Sequence, residues 1–170
     1  MDRGDANRRN SGARSSELRV IPLLQRPEFI PSVARWIYAE WSYEFTEVTP
    51  DAWMIGFAAE LQPHGVPTTL IALDGDELVG TASLDPCDLP SRPALGPWLS
   101  SLYVAPPWRG RGLASLLVRG VEAEARSLGY AAVHLHTTDQ ANFFARRGWR
   151  WIEDVTEWNR RVAIMGKGLD

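Results

Sequence analysis

The sequence predicts an α/β domain, α+β in the way its elements segregate, with about seven strands and about four helices. Three observations carry that reading. A short apolar run, Leu99, Leu102, Tyr103 and Val104, is stopped by Pro106 and Pro107 and passes through a glycine-arginine turn into the helical spacing of Leu113, Leu116, Leu117, Val121 and Leu128. Two β-rich runs, Thr68 to Leu73 and Glu77 to Leu84, flank Asp74-Gly75-Asp76, a hairpin signal. Strand-like and helix-like stretches also follow one another from Leu18 onward without an internal repeat. At 170 residues and 45% hydrophobic, the chain has material for one core, so residues 17–170 are expected to form a single domain.

Taken in order, residues 1–16 hold Arg3, Arg8, Arg9 and Arg14 among small polar residues, with no large apolar residue after Met1. They read as a disordered, solvated tail. Leu18 to Leu24 reads as a first strand, limited by Pro22 and Pro27. From Phe29 through Ile30, Val33, Ile37 and Trp41 the apolar residues recur at helical spacing. Thr49-Pro50-Asp51 offers an N-cap and a first-turn proline for a second helix bearing Trp53, Phe57 and Leu61. The hairpin follows, then a proline-rich loop from Asp85 to Pro97, then the central strand and helix. Gly129 ends that helix, and Ala131 to Thr137 makes a further strand. Asp139 to Arg147 reads as a short helix anchored by Phe143 and Phe144 and closed by Gly148. Trp149 to Val155 and Arg161 to Met165 complete a last hairpin.

Composition narrows the function classes. A formal charge of -3 and a pI near 5.6 announce no basic face for nucleic acid, and suit a cationic or amine-bearing partner better. Cys87 is the single cysteine, so neither an internal disulfide nor a cysteine-rich metal site is possible, and no metal is expected. No apolar run reaches membrane-spanning length and the start lacks a signal-peptide core. The expectation is a soluble, cytoplasmic protein, monomer or homodimer, without nucleic-acid or membrane partners.

The central turn has chemical meaning. Gly110 and Gly112 stand at a helix N-terminus, where the first N–H groups lack helical acceptors and the macrodipole is positive. Glycine lets an anion approach, and Arg109 and Arg111 add charge, so a phosphate or diphosphate is the natural guest. The dinucleotide fingerprint is missed because Ser115 stands at the third glycine, and the phosphate loop of NTPases fails because the sole lysine is Lys167.

Arg109-x-x-Gly112-x-Ala114 after Leu102-Tyr-Val-x-Pro resembles the acyl-CoA pyrophosphate loop of the GNAT superfamily of N-acetyltransferases. Phe143-Phe144-Ala-Arg-Arg-Gly148-Trp149 resembles the family's second cofactor motif, and the element order from Leu18 to Leu169 is similar to the GNAT fold. The resemblance implies a mixed central sheet with helices on both faces, acetyl-CoA as cofactor, and acetyl transfer to a primary amine. By resemblance, the amides of Leu102, Tyr103 and Val104 pair with the pantetheine arm. The stretch Arg109, Gly110, Arg111, Gly112, Leu113, Ala114 and Ser115 wraps the diphosphate, and Thr137, Gln140, Phe143 and Phe144 complete the cofactor side. The connection carrying Glu40, Trp41 and Glu44, with Trp98, is expected at the acceptor.

The acid-base groups depart from the family. The position of the glutamate base of histone-type members is Trp98, and that of the thiolate-protonating tyrosine is Phe144. Candidates that remain are His136 and Asp85, then His134, Glu40 and Glu44, with deprotonation through water equally open. Histidine has the right intrinsic pKa near neutrality. Loss of both usual groups also permits a second reading, a non-catalytic acyl-CoA-binding module.

Overall fold

The computed structural model describes residues 17–62 and 65–170; the tail expected at residues 1–16 lies outside the described residues. Eleven regular elements follow in order: β1 (Leu18–Pro22), α1 (Ile30–Trp41), α2 (Pro50–Glu60), β2 (Thr68–Asp74), β3 (Glu77–Asp85), β4 (Trp98–Val104), α3 (Leu113–Ser127), β5 (Ala132–Thr137), α4 (Ala141–Ala145), β6 (Arg150–Glu157) and β7 (Arg160–Gly168). The seven strands form one mixed sheet in the order β1-β2-β3-β4-β5-β7-β6. Neighbours are antiparallel except β4 and β5, which run parallel.

Strand alternation explains why helices cover both faces. Along β2, Leu70 and Ala72 join the core built with Leu113, Leu117 and Val121 of α3. The intervening Ile71 and Leu73 point the other way, into a cluster with Val33 and Ile37 of α1 and Trp53 and Phe57 of α2. Gly80 lets α3 lie close on β3, since a Cβ there would sit 3.0 Å from a Leu117 methyl and 2.9 Å from the Tyr103 carbonyl oxygen. α2 starts as its sequence requires: Thr49 is the N-cap, its hydroxyl accepts from Ala52 N–H at 3.3 Å, and Pro50 fills the first turn.

Some boundaries differ from the sequence reading, each for a local reason. β1 stops at Pro22, which has no N–H for the ladder, and Leu23–Gln25 turn into a short 3₁₀ helix. α4 is trimmed to Ala141–Ala145: the Thr137 hydroxyl accepts from Gln140 N–H at 3.0 Å and ties down the approach, and at the other end the N–H groups of Arg147 and Gly148 bond three residues back, to Phe144 and Ala145, in place of continuing the helix. The last hairpin is longer than expected, because Trp158 and Asn159 both take positive φ (48° and 57°) and make a two-residue turn that keeps the ladder intact from Glu157 to Arg160.

One feature of the sheet positions the site. β4 carries one residue more than β3 between paired positions, Ser83 opposing Ser100 and Thr81 opposing Tyr103. The bulge centres on Ser101, whose φ is 52°. A bulge bends and twists its strand. Beyond it β4 leaves β5: the two strands share the single residue pair Trp98 and His134. The backbone of Leu102–Val104 therefore has a partner on its β3 side and none on its β5 side.

Candidate active site

The splay between β4 and β5 opens into a cleft of about 940 Å³. Leu99 to Val104 form one lip, His136 and Thr137 the other, and Phe143 and Phe144 close one end. The opposite end is walled by Trp41 to Phe45 except Ser42, by Asp88, and by Trp158 and Arg160 from the β6–β7 turn.

At the α3 end, the backbone supplies the chemistry. Gly112 is the N-cap in the left-handed region (φ 81°) with no side-chain cap, and the first helical bond runs from Leu116 N–H to the Gly112 carbonyl at 3.1 Å. The N–H groups of Leu113, Ala114 and Ser115 thus lack helical acceptors at the positive end of the helix dipole. A Cβ on Gly110 or Gly112 would meet nothing within 4 Å, so the outer side of the loop is open. Of this turn Arg109 and Ala114 line the cleft, while Arg111, Gly112, Leu113 and Ser115 border an adjoining smaller hollow of about 480 Å³. Arg109 is turned back onto the strand: Nε donates to the Val104 carbonyl at 2.9 Å and the guanidinium lies 5.6 Å from the Tyr103 ring centre. The Ser115 hydroxyl accepts from Arg147 Nε and Nη2 at 2.9 and 2.5 Å, and Arg147 stacks 3.5 Å above Phe143. Sequence reasoning passed over Arg147, which follows the end of α4 and folds back so that its Nη1 donates to the Phe143 carbonyl at 2.6 Å.

At the other end, side chains from four separate segments converge. His136 Nε2 lies 3.0 Å from Asp88 Oδ2, with both side chains largely withdrawn from solvent. Burial opposes the imidazolium, but the hydrogen bond and charge of Asp88, with Glu44 and Glu157 behind it, raise the His136 pKa above the ordinary imidazole value. Burial first, then the charge of Asp88, pushes the Glu44 carboxyl up to about 7, against smaller opposing effects of His136, Tyr43 and Arg160. One Glu44 oxygen and one Glu157 oxygen are buried without a hydrogen-bond partner. Tyr43 is pushed up to about 12, by burial above all. Arg160 lies 4.0 Å over the Tyr43 ring, and Trp158 packs against His136 at 5.4 Å and Tyr43 at 6.3 Å between ring centres. A tryptophan at positive φ is a strained choice, and here it aims a large ring into the cleft.

The expected site residues divide accordingly. Leu102, Tyr103, Val104, Arg109, Ala114, Thr137, Gln140, Phe143, Phe144, Glu40, Trp41, Glu44 and His136 line the cleft. Trp98 does not: it is fully buried with Leu89, Val162 and Ile164, its indole N–H donating to the Leu95 carbonyl at 2.7 Å, so it is a core residue and not an acceptor contact. Asp85 also stands behind the lining, where its carboxylate accepts from the Ser100 hydroxyl; burial pushes it up to about 7. His134 is beneath Trp98 rather than in the cleft, and burial lowers its pKa. The Thr137 hydroxyl is committed to Gln140 N–H. Tyr43 lies in the connection expected at the acceptor, whereas Asp88, Trp158 and Arg160 were not foreseen. A Trp-Asn pair between two alternating runs was the available signal for the last two, whereas nothing local marks Asp88 as the partner of His136.

The sequence profile of the acetyltransferase (GNAT) family matches residues 30–150. A 68-residue stretch is 42% identical to N-alpha-acetyltransferase 80 of Mus musculus, covering 38% of this chain and 22% of that protein. The chain thus matches about a fifth of that curated relative's length. Among solved structures, an aminoglycoside 6'-N-acetyltransferase complexed with coenzyme A superposes with a TM-score of 0.71 at 17% identity, covering 89% of this chain and 97% of that one. A GCN5-related N-acetyltransferase from Rhodopseudomonas palustris gives 0.61 at 26% identity, covering 88% and 94%. The mixed seven-strand sheet with four α-helices is shared with these neighbours.

Proposed function

The chain belongs to the GNAT acetyltransferase family, and we propose from that premise that it transfers an acetyl group from acetyl-CoA to the primary amine of a cationic acceptor. One observation carries the reading: the β4–β5 splay joins an open, positively polarised helix N-terminus to a buried carboxylate-histidine cluster in a single cleft. Each end fits one half of the reaction. The strand edge of Leu102–Val104 offers unpaired backbone groups to an amide-bearing arm, and the turn from Gly110 to Ser115 offers free N–H groups to phosphates. Bound acetyl-CoA supplies the acetyl group as an activated thioester.

The remaining chemistry belongs to the chain. Glu44 and Asp88, with Glu40 at the rim, draw an ammonium into the cleft, while Trp158, Tyr43 and Trp41 cover its apolar body. With Nε2–H directed at Asp88, His136 keeps the lone pair of Nδ1 for the proton that the amine must lose. Asp88 fixes the imidazole and stabilises its protonated form. The amides beside the Ser101 bulge are the oxyanion donors on the opposite lip. The unpartnered Glu44 oxygen supports a cationic acceptor, because a buried carboxylate oxygen without a donor is costly until an ammonium meets it.

The test is turnover with a panel of amines and peptide N-termini, reading thiol release and the acetylated product by mass. Diamines and other dications should give the highest kcat/KM. Tight CoA binding with no thiol release on any amine would leave the acyl-CoA-binding module as the better description.

A further inference from the structure

The proposed transfer leaves one proton unassigned. When the acetyl carbon bonds to the amine nitrogen, the carbon–sulfur bond breaks and the sulfur departs as a thiolate. His136 accounts for the amine's proton. Phe144 stands where the family has its thiolate-protonating tyrosine, and it has no proton to give.

A second aspartate-backed pair lies across the splay from the first. β4 and β5 run parallel with Trp98 beside His134. Two residues further along, Ser100 and His136 therefore occupy matching positions on the two strands. Side chains alternate along a strand, so Ser100 shares the face of Trp98, and Trp98 packs against His136 at 6.2 Å between ring centres. Both Ser100 and His136 line the cleft. The Ser100 hydroxyl donates to Asp85, which stands behind the lining. Each lip thus carries one cleft-facing group backed by one aspartate: Ser100 with Asp85 on β4, and His136 with Asp88 on β5. Ser100 also immediately precedes the Ser101 bulge, where β4 begins to offer its free edge.

We propose, on the footing of the acetyltransferase reading, that Ser100 is the proton donor to the departing thiolate and that Asp85 recharges it. The relay runs in the form with Asp85 protonated: the hydrogen bond between the two side chains then reverses, the Asp85 carboxyl donates to Ser100 Oγ, and the serine hydroxyl is free to turn toward the cleft. Ser100 gives that proton to sulfur as the carbon–sulfur bond breaks, and takes the carboxyl proton of Asp85. His136 holds the proton lost by the amine. Both aspartate-backed pairs then return to their starting states by exchange with water, so protons balance over the cycle. Burial, opposed by the Ser100 hydrogen bond and assisted by Asp88 and Glu60, holds Asp85 at about 7, which keeps its carboxyl partly protonated at neutral pH. Ser100 is the catalytic residue in this scheme, and Asp85 acts through it.

The discriminating variable is the leaving group. With acetyl-CoA, Ser100→Ala should lower kcat by roughly a hundredfold, the low end of general-acid contributions. With phenyl thioacetate, whose thiol is far more acidic and leaves unaided, the two enzymes should agree within about threefold. Asp85→Asn should reproduce the pattern, and the double variant should be no worse than either single one. A readout independent of turnover is the thiol titration of bound CoA, followed by thiolate absorbance. A donor on Ser100 stabilises the thiolate, so Ser100→Ala should raise the bound thiol's pKa by about one unit. Equal losses with both donors, or an unchanged thiol titration, would overturn the assignment. Absence of turnover in the wild-type chain would defeat the acetyltransferase reading instead, while the thiol titration would still decide for or against Ser100.

Discussion

The two ends of the cleft are built from different materials. At the α3 end the working groups are backbone N–H and C=O, exposed because a bulge splays β4 from β5 and because Gly112 at φ 81° begins the helix without a side-chain cap. At the Asp88–His136 end the working groups are side chains, delivered by the α1–α2 connection, the loop after β3, strand β5 and the β6–β7 turn. A backbone site depends on local conformation and tolerates change in most side chains. A side-chain site depends on the whole fold and is lost one residue at a time. Substitutions at the two ends should therefore fail in different ways.

The largest effect expected is at the backbone end. Gly112→Glu places a carboxylate where an anion should bind and a Cβ where φ is positive, so CoA affinity should fall by more than about a hundredfold, the loss of one or two charge-assisted hydrogen bonds. Strain from the left-handed backbone is of order 1–2 kcal/mol, which a domain of ordinary stability survives. Gly112→Ala carries the strain without the charge and separates the two. Thermal shift with CoA, run beside NADPH as a control, reads both. If the folded Gly112→Glu protein binds CoA normally, the loop is merely a turn.

At the side-chain end, the expected loss is in rate and not in cofactor affinity. His136→Gln should lower kcat by about a hundredfold, within the usual range for a general base, with the CoA thermal shift unchanged. Asp88→Asn should lose somewhat less and move the pH-rate profile, because Asp88 is the main influence raising His136. Without it burial dominates, the histidine pKa falls, and the rising limb of the kcat profile shifts to lower pH. A profile unmoved in Asp88→Asn would show that His136 does not carry the titration.

The same division decides what the sequence revealed. Gly110, Gly112 and the Thr49-Pro50 cap are legible because each encodes a local backbone state: a positive φ, an open N-terminus, a fixed first turn. The succession of strands and helices along the chain follows from the hydrophobic runs and their punctuation. Trp98 misled for a physical reason, since counting along the chain found the family's base position but not the face it occupies; Leu89 from the loop after β3 and Val162 and Ile164 from β7, two distant segments, bury it. Asp88 and His136 are 48 positions apart, and only the completed sheet brings them together. Trp158 reaches the cleft by adopting a conformation that tryptophan disfavours, so propensity pointed away from it.

A smaller, pH-dependent effect sharpens the contrast. Glu44 is held at about 7, chiefly by burial and then by Asp88, with His136, Tyr43 and Arg160 opposing. A carboxyl raised above its unfolded value of 4.5 contributes stability below that value and loses it as pH rises through 7. Glu44→Gln should therefore raise Tm by a few degrees at pH 8 and have little effect at pH 4, on a scale of roughly 2–4 °C per kcal/mol for a chain of this size. It should also raise the acceptor KM. A fall in Tm at pH 8 would mean that the carboxylate is already paired in the free protein.

The smallest effect expected is from Phe144→Tyr in the wild-type background, at the junction of the two ends. Phe144 lines the cleft, but its ring is 5% exposed and packs edge-on against Phe143 at 5.0 Å and Trp149 at 5.8 Å. An added hydroxyl near sulfur would duplicate a donor that Ser100 already provides, so kcat should stay within about threefold, well below the usual contribution of a required general acid. Stability should fall by about 1–3 kcal/mol if the hydroxyl remains in the core without a partner, and by less if it reaches the cleft. The informative background is Ser100→Ala. There the native donor is gone, and the tyrosine should recover about tenfold of the lost rate, a fraction of what a well-placed acid gives. Recovery confined to that background would place both groups on the same sulfur. A gain of tenfold or more in the wild-type background would show that thiolate protonation had no donor at Ser100 to begin with.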